Sequence, residues 1–196
     1  MTNWNLLRAA GIGAYLMLYL SVAWGLVATT SIVTKRISKV SSNLFHQFVA
    51  TTGLVLLGVH LALLLVDGFM PFAPLDLILP LRSAYRPIPI ALGIAAMFAM
   101  VAIMVSSWLR KPIGVRLWRA IHLAAVPAFA LALGHGVFAG TDTNRPWMAA
   151  MYAITGLSVV FLTIVRGLTH GYRPPRPERP STARPVPTDP EPASSA

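Results

Sequence analysis

The chain has 196 residues, of which 56% are hydrophobic and only 11% charged, and its formal net charge is +10. A soluble domain normally carries about a quarter charged residues, so this composition excludes an ordinary soluble domain and indicates a membrane protein. The absence of cysteine excludes disulfides, thiolate metal sites and iron–sulfur clusters.

Five stretches are long and apolar enough to cross a bilayer, which needs about 20 mostly apolar residues. They run over 9–33, 44–66, 88–109, 117–139 and 147–165. The sequence therefore predicts an all-α integral membrane protein, a bundle of about five transmembrane helices within residues 1–171.

Two segments do not fit the pattern of a span. The apolar piece 71–81 contains three prolines and is too short to cross, so it is predicted to be re-entrant or interfacial. Residues 172–196 are rich in Pro, Arg, Ser and Thr. Such a composition buries little apolar surface and predicts a disordered cytoplasmic tail.

Basic residues are concentrated in alternate connections. The loops after the first and third spans and the tail are basic, whereas the loops between them carry little net charge. The positive-inside rule then predicts a multi-pass protein of the plasma membrane, with its N-terminus outside and its C-terminus in the cytoplasm. This distribution explains the net charge without nucleic acid as a partner.

Four of the five histidines lie in two spans: His46 and His60 in the second, His122 and His135 in the fourth. Ionisable groups are costly inside a bilayer, so each needs a reason. At 1.5 Å per residue the members are separated by ~21 Å in the second span and ~20 Å in the fourth. Both spans are predicted to run outward, which places His46 level with His122 (the inner pair) and His60 level with His135 (the outer pair). Facing pairs of this kind suit six-coordinate haem, with an imidazole on each side of each iron.

The angular positions of the histidines around their helices agree less well with this arrangement. His46 and His60 are ~3.9 turns apart and share a face, with Gly53 midway, where a small residue would let a flat ring approach. His122 and His135 are ~3.6 turns apart, which turns His135 away unless Pro127 kinks or rewinds the helix. The alternatives are packing histidines, or a di-metal site for which these spans offer no carboxylate.

Two stretches carry a family resemblance: FHQFVATTGLVLLGVHLALLLVD (45–67) and WRAIHLAAVPAFALALGHGVFAGTDT (118–143). They resemble the ferric reductase-like transmembrane domain of ferric reductases and NADPH oxidases, and 74–93 resembles the intervening segment of small bacterial members. The resemblance covers about 8–168. It implies two haem b groups stacked across the membrane, the inner iron held by His46 and His122 and the outer by His60 and His135.

The resemblance also sets expectations about function. Larger members commonly have six spans and continue into flavin and nicotinamide domains, whereas this chain has about five spans and a proline-rich tail. It is similar to a stand-alone haem module, such as the membrane subunit of the bacterial methionine sulfoxide reductase system. We expect transmembrane electron transfer with a separate redox partner, either a protein or a quinone or flavin donor. NAD(P)H oxidation by this chain alone is not expected.

The functional alternatives stay open at this point. A bound flavin is one of them, although no dinucleotide motif encodes it, since GIGAY at Gly11 lies inside a span. A non-redox transporter or scaffold would use the histidines for proton relay or metal binding. An assembly subunit of a larger reductase would keep the haems and leave substrate chemistry to another chain.

Several further residues are candidates around the haems. Arg119, one turn before His122, is expected to bind the inner haem propionates, and Phe129 lies either in the electron path or in the core. His170 is assigned no ligand role. Other arginines and lysines are candidate propionate partners or else orient the helices; they are Lys35, Arg36 and Arg116 inside, and Arg82, Arg86 and Arg145 outside.

Overall fold

The computed structural model of the chain describes residues 2–28, 37–67 and 72–169. Six α-helices occur in these segments, and a short 3-10 helix, Pro74–Leu77, precedes the third of them. The helices are α1 (Thr2–Val27), α2 (Lys39–Val66), α3 (Pro87–Trp108), α4 (Arg110–His122), α5 (Ala125–Ala139) and α6 (Pro146–Thr169). The predicted tail 172–196 lies outside the described residues, as do Lys35, Arg36 and His170.

The helices have the length and polarity of membrane spans. α1, α2, α3 and α6 each qualify alone, and α4 with α5 qualifies as one span bent by 45°. Large apolar side chains such as Leu157, Phe161 and Leu168 project from α6 with more than 60% of their surface exposed, as expected where lipid surrounds the bundle. The predicted all-helical membrane bundle is confirmed, and the described residues contain no strand.

The fourth span is not the continuous helix that the sequence predicts over 117–139. It breaks at Leu123 and Ala124, where α4 ends and α5 begins. Pro127 has no N–H, so the carbonyl of Leu123 loses its helical partner four residues later. The Ala124 N–H instead bonds to the carbonyl of Ile121 in a tighter turn. His122 and His135 therefore belong to two different helices.

The bundle is built from two hairpins. α1 packs along α2, α3 packs along α5, and α6 covers α1 and α5. The core lies between α1, α5 and α6. Phe129 is 2% exposed there, with its ring centroid 5.7 Å from that of Tyr15, so Phe129 is a core residue. α2, which carries His60, packs mainly on α1, and α5, which carries His135, packs mainly on α3. A cavity remains between these two hairpins.

The second hairpin is closed by polar contacts at one end. The last carbonyls of a helix have no partner within it, and α5 obtains partners from the start of α3. The Tyr85 hydroxyl donates to the carbonyl of Ala139 over 3.2 Å, and Nη1 of Arg86 donates to that of Phe138 over 2.6 Å. These bonds fix the end of α5 nearest His135 against α3.

Candidate functional site

The structure brings the inner pair together. The ring centroids of His46 and His122 lie 6.0 Å apart, with 57° between the ring planes. The Nδ1 atoms of both rings are buried and have no hydrogen-bond partner among the described residues. Buried polar atoms normally have one, so the two rings have bonding capacity that the described protein groups do not use.

The outer pair lines the cavity between the hairpins. His60 from α2 and His135 from α5 are both on its wall, although 13 residues of regular helix after His122 would turn His135 away. The break before Pro127 removes the assumption of one regular helix. The remaining walls are largely apolar, with Leu18, Leu57 and Met97 among them. Such walls suit an apolar, flat ligand.

The outer rings are oriented by backbone carbonyls of the neighbouring helices. Nδ1 of His60 donates to the carbonyl of Leu7 on α1 over 3.1 Å. Nδ1 of His135 donates to the carbonyl of Pro89 on α3 over 2.9 Å. A carbonyl only accepts, so both Nδ1 atoms carry the proton and Nε2 keeps its lone pair. Histidines that bind a metal are usually oriented by a hydrogen bond of this kind.

A glycine four residues after each of these carbonyls leaves room for the histidine ring to reach it. A Cβ built on Gly11 would lie 2.9 Å from Nδ1 of His60, and one built on Gly93 would lie 2.6 Å from Nδ1 of His135. Real Cβ contacts are longer, so any side chain at these positions would displace the ring. α1 and α3 therefore present the same arrangement, a carbonyl at one position and a glycine at the next turn, to one outer histidine each.

A looser version of this carbonyl-and-glycine arrangement occurs beside the inner pair. The Ser21 backbone lies next to the His46 ring, outside normal hydrogen-bond geometry. A Cβ on Gly25 would lie 3.6 Å from that ring, an ordinary contact. On α3 the residue 14 positions after Gly93 is Ser107, not a glycine. Its hydroxyl donates to the carbonyl of Ile103 in the same helix and accepts from Nε1 of Trp118.

Sequence reasoning missed these glycines and assigned another role to Gly53, which was expected to let a flat ring approach. Gly53 packs against α1 instead, because a Cβ there would lie 3.1 Å from the Cβ of Met17. The face of α2 that carries Gly53 is used for helix packing at that level. The missed signal was the spacing, since Gly11 and Gly25 are 14 residues apart, like His46 and His60.

The arginines predicted from the sequence occupy different environments in the structure. Arg82 pairs with Asp76, Arg86 is bonded to α5, and neither lines the cavity. Arg119 is exposed. The ring of Trp118 lies beside His122, with 5.1 Å between the two centroids. The guanidinium of Arg110 lies over the Trp118 ring, 4.3 Å from its centroid. Arg8 does line the cavity, and no pattern in the sequence pointed to it.

The arrangement offers two nitrogen ligands at each of two levels. Imidazole–metal bonds are about 2 Å long, so two imidazoles on opposite sides of one metal ion have centroids about 6 Å apart. The inner pair has this separation. In the three described segments no three His, Cys, Asp or Glu side chains gather into a group that would hold a metal ion.

Comparison with known proteins gives one match. Residues 10–133, more than half of the chain, match the family described as ferric reductase like transmembrane component. The matched segment includes His46, His60 and His122 and ends two residues before His135. No curated protein and no solved structure matches the chain.

Proposed function

This chain belongs to the ferric reductase-like transmembrane family, and from that premise we propose that it is a di-haem b-type electron-transfer protein. In this proposal His46 and His122 ligate the inner haem iron, and His60 and His135 ligate the outer one. Bound haem supplies reversible one-electron redox chemistry at each iron. The family supports the transmembrane electron-transfer role, and the histidine geometry supports the two haems.

The observation that carries the proposal is that the four histidines come together in two pairs, one in ring contact and the other on the wall of a shared cavity. His46 meets His122 with the centroid separation that one metal ion requires. His60 and His135 share an apolar cavity and have Nδ1 occupied, which leaves Nε2 for a ligand.

The protein residues have three tasks in this function. Leu7 and Pro89 orient the outer imidazoles through their carbonyls, and Gly11 and Gly93 give the rings room to reach them. The apolar cavity wall excludes water from the outer site. A dry, fixed site lowers the rearrangement that accompanies each change of charge, which favours rapid electron transfer.

The membrane setting follows the same proposal. In this proposal the inner pair lies on the cytoplasmic side of the plasma membrane and the N-terminus lies outside, an orientation that the basic connections favour. Electrons then pass between the two sides through the haems, and a separate redox partner or a quinone or flavin donor supplies or accepts them. The similarity to the haem subunit of the methionine sulfoxide reductase system remains a prediction about that partner.

A difference spectrum tests the function. The protein, purified in detergent after expression with ample haem, is reduced with dithionite and compared with its oxidised form, and haem is counted per chain. We expect a b-type reduced-minus-oxidised spectrum with two haems per chain. A colourless protein would contradict the proposal and favour the non-redox transporter or scaffold.

A further inference from the structure

The outer cavity has one ion pair on its wall. Among the described residues that line it, Arg8 and Asp142 are the only ones with a fully charged side chain. Arg8 belongs to α1, and Asp142 lies in the turn between α5 and α6. Nη2 of Arg8 donates to Oδ2 of Asp142. Desolvating two charges on an otherwise apolar wall costs free energy, so the presence of this ion pair needs an explanation.

The guanidinium of Arg8 has donors to spare. Its Nε is buried and has no hydrogen-bond partner within the described part of the chain. The side chain is 34% exposed overall, so the group still reaches open space. A guanidinium has five N–H donors in a planar fork, and the two oxygens of a carboxylate match that fork. Asp142 uses part of the fork and leaves the rest available.

Arg8 stands beside the residues that orient His60. It follows Leu7, whose carbonyl accepts from His60, and it precedes Gly11, which touches the same ring, by one helical turn. The guanidinium is therefore at the level of the outer pair, toward the N-terminal end of α1. None of the arginines expected from the sequence at this end of the bundle lines the cavity.

We propose that Arg8 binds a carboxylate of the planar ligand held by His60 and His135, and that Asp142 shares the guanidinium with it. The inference rests on the proposed function, in which that ligand is haem and the carboxylate is a propionate. Arg8 is then a positioning residue, which fixes the rotation of the ring and places a positive charge beside it.

A redox titration of the haem-loaded protein tests the charge. The outer haem is identified as the component that His60→Ala removes. A nearby positive charge favours the reduced iron, so Arg8→Gln is expected to lower the outer midpoint potential, and Asp142→Asn to raise it. Arg8→Lys keeps the charge and is expected to stay near wild type. Arg145→Gln, an exposed arginine off the cavity wall, is the control and should change nothing.

The pattern of shifts separates the proposal from a merely structural ion pair. Loss of a structural pair would disturb the site in the same way whichever partner is removed. Shifts of the same sign for Arg8→Gln and Asp142→Asn would overturn the proposal, and so would an Arg8→Gln value equal to that of Arg145→Gln.

Reconstitution with modified haem tests the carboxylate. Haem and haem dimethyl ester differ only in the two carboxylates, which the ester masks. The wild-type outer site is expected to prefer haem by roughly tenfold, and Arg8→Gln to remove most of that preference. Equal preference in both proteins overturns the assignment of Arg8 while the di-haem function stands. A wild-type protein that takes up neither compound overturns both.

Discussion

The inner and outer pairs each join a histidine of α2 to one of the bent fourth span, on α4 for the inner pair and on α5 for the outer, yet the two pairs are supported differently. Each outer ring donates to a backbone carbonyl and lies against a glycine of a neighbouring helix. The inner ring centroids lie 6.0 Å apart with their planes tilted by 57°, and both Nδ1 atoms are unbonded within the described residues. The outer site is preorganised by backbone, whereas the inner site relies on side-chain packing.

The difference is seen on both neighbouring helices, since the carbonyl contact at Ser21 of α1 is loose and α3 lacks the arrangement at the inner level. On α1 both levels have a carbonyl followed by a glycine, at Leu7 with Gly11 and at Ser21 with Gly25. On α3 the outer level keeps that arrangement, but the inner level has Ser107, which bonds to its own helix and to Trp118. His122 consequently has an indole beside it instead of a carbonyl.

The largest expected consequence is a difference in haem retention. Outer-shell hydrogen bonds to metal-binding histidines are typically worth a factor of about 10 to 100 in affinity. When the loaded wild-type protein is mixed with excess apomyoglobin, the inner haem is expected to leave at least about tenfold faster than the outer. The two rates are read from the two redox components remaining over time. Equal rates would remove the distinction between the sites.

Glycine substitutions should break the outer site selectively. Gly93→Ala and Gly11→Ala each force a ring to move, and overpacking of this kind costs about 1–3 kcal/mol. Outer haem occupancy is therefore expected to fall about tenfold while the inner haem stays.

Two alanine variants are matched controls for this effect. Gly25→Ala makes an ordinary contact with His46, and Gly58→Ala meets nothing within 4 Å, so both should keep two haems. Haem is counted per chain in all four variants. An outer haem retained in full by Gly93→Ala would show that the ring is not held where the structure places it.

A smaller effect is expected from the indole beside the inner pair. Trp118→Leu removes the ring 5.1 Å from His122 and its hydrogen bond to Ser107, an interaction worth about 1 kcal/mol. The electron paramagnetic resonance signal of the inner haem should broaden or shift, and that of the outer haem should not. Trp108→Leu, at an indole that is 70% exposed, is the control. The same change in both variants would argue against a specific contact.

Much of this architecture was predictable from sequence, for identifiable reasons. Long apolar runs predict spans because the bilayer leaves few other choices. The depth of each histidine followed from its position along a span, and His46 does meet His122. The rotation of His135 was not predictable in the same way, because a residue count gives an angle only within one regular helix. Pro127 indicated a kink, but the size of the bend depends on packing against α3.

Tertiary partners account for the other misses. Gly53 lies on the histidine face of α2, yet which neighbour covers that face at each level is set by how α1 crosses it. Arg8 and Asp142 are 134 residues apart in sequence, and nothing local to either predicts their contact. The repeated glycine spacing on α1 was visible, but its meaning depended on knowing that α1 packs antiparallel along α2.

The pairing of the histidines is tested most directly by redox titration of the four single variants His46→Ala, His60→Ala, His122→Ala and His135→Ala, with His170→Ala as the control. We predict that His46→Ala and His122→Ala lose one and the same haem component, that His60→Ala and His135→Ala lose the other, and that the control keeps both. Loss of the same component from both α2 variants, His46→Ala and His60→Ala, would contradict the two-level arrangement.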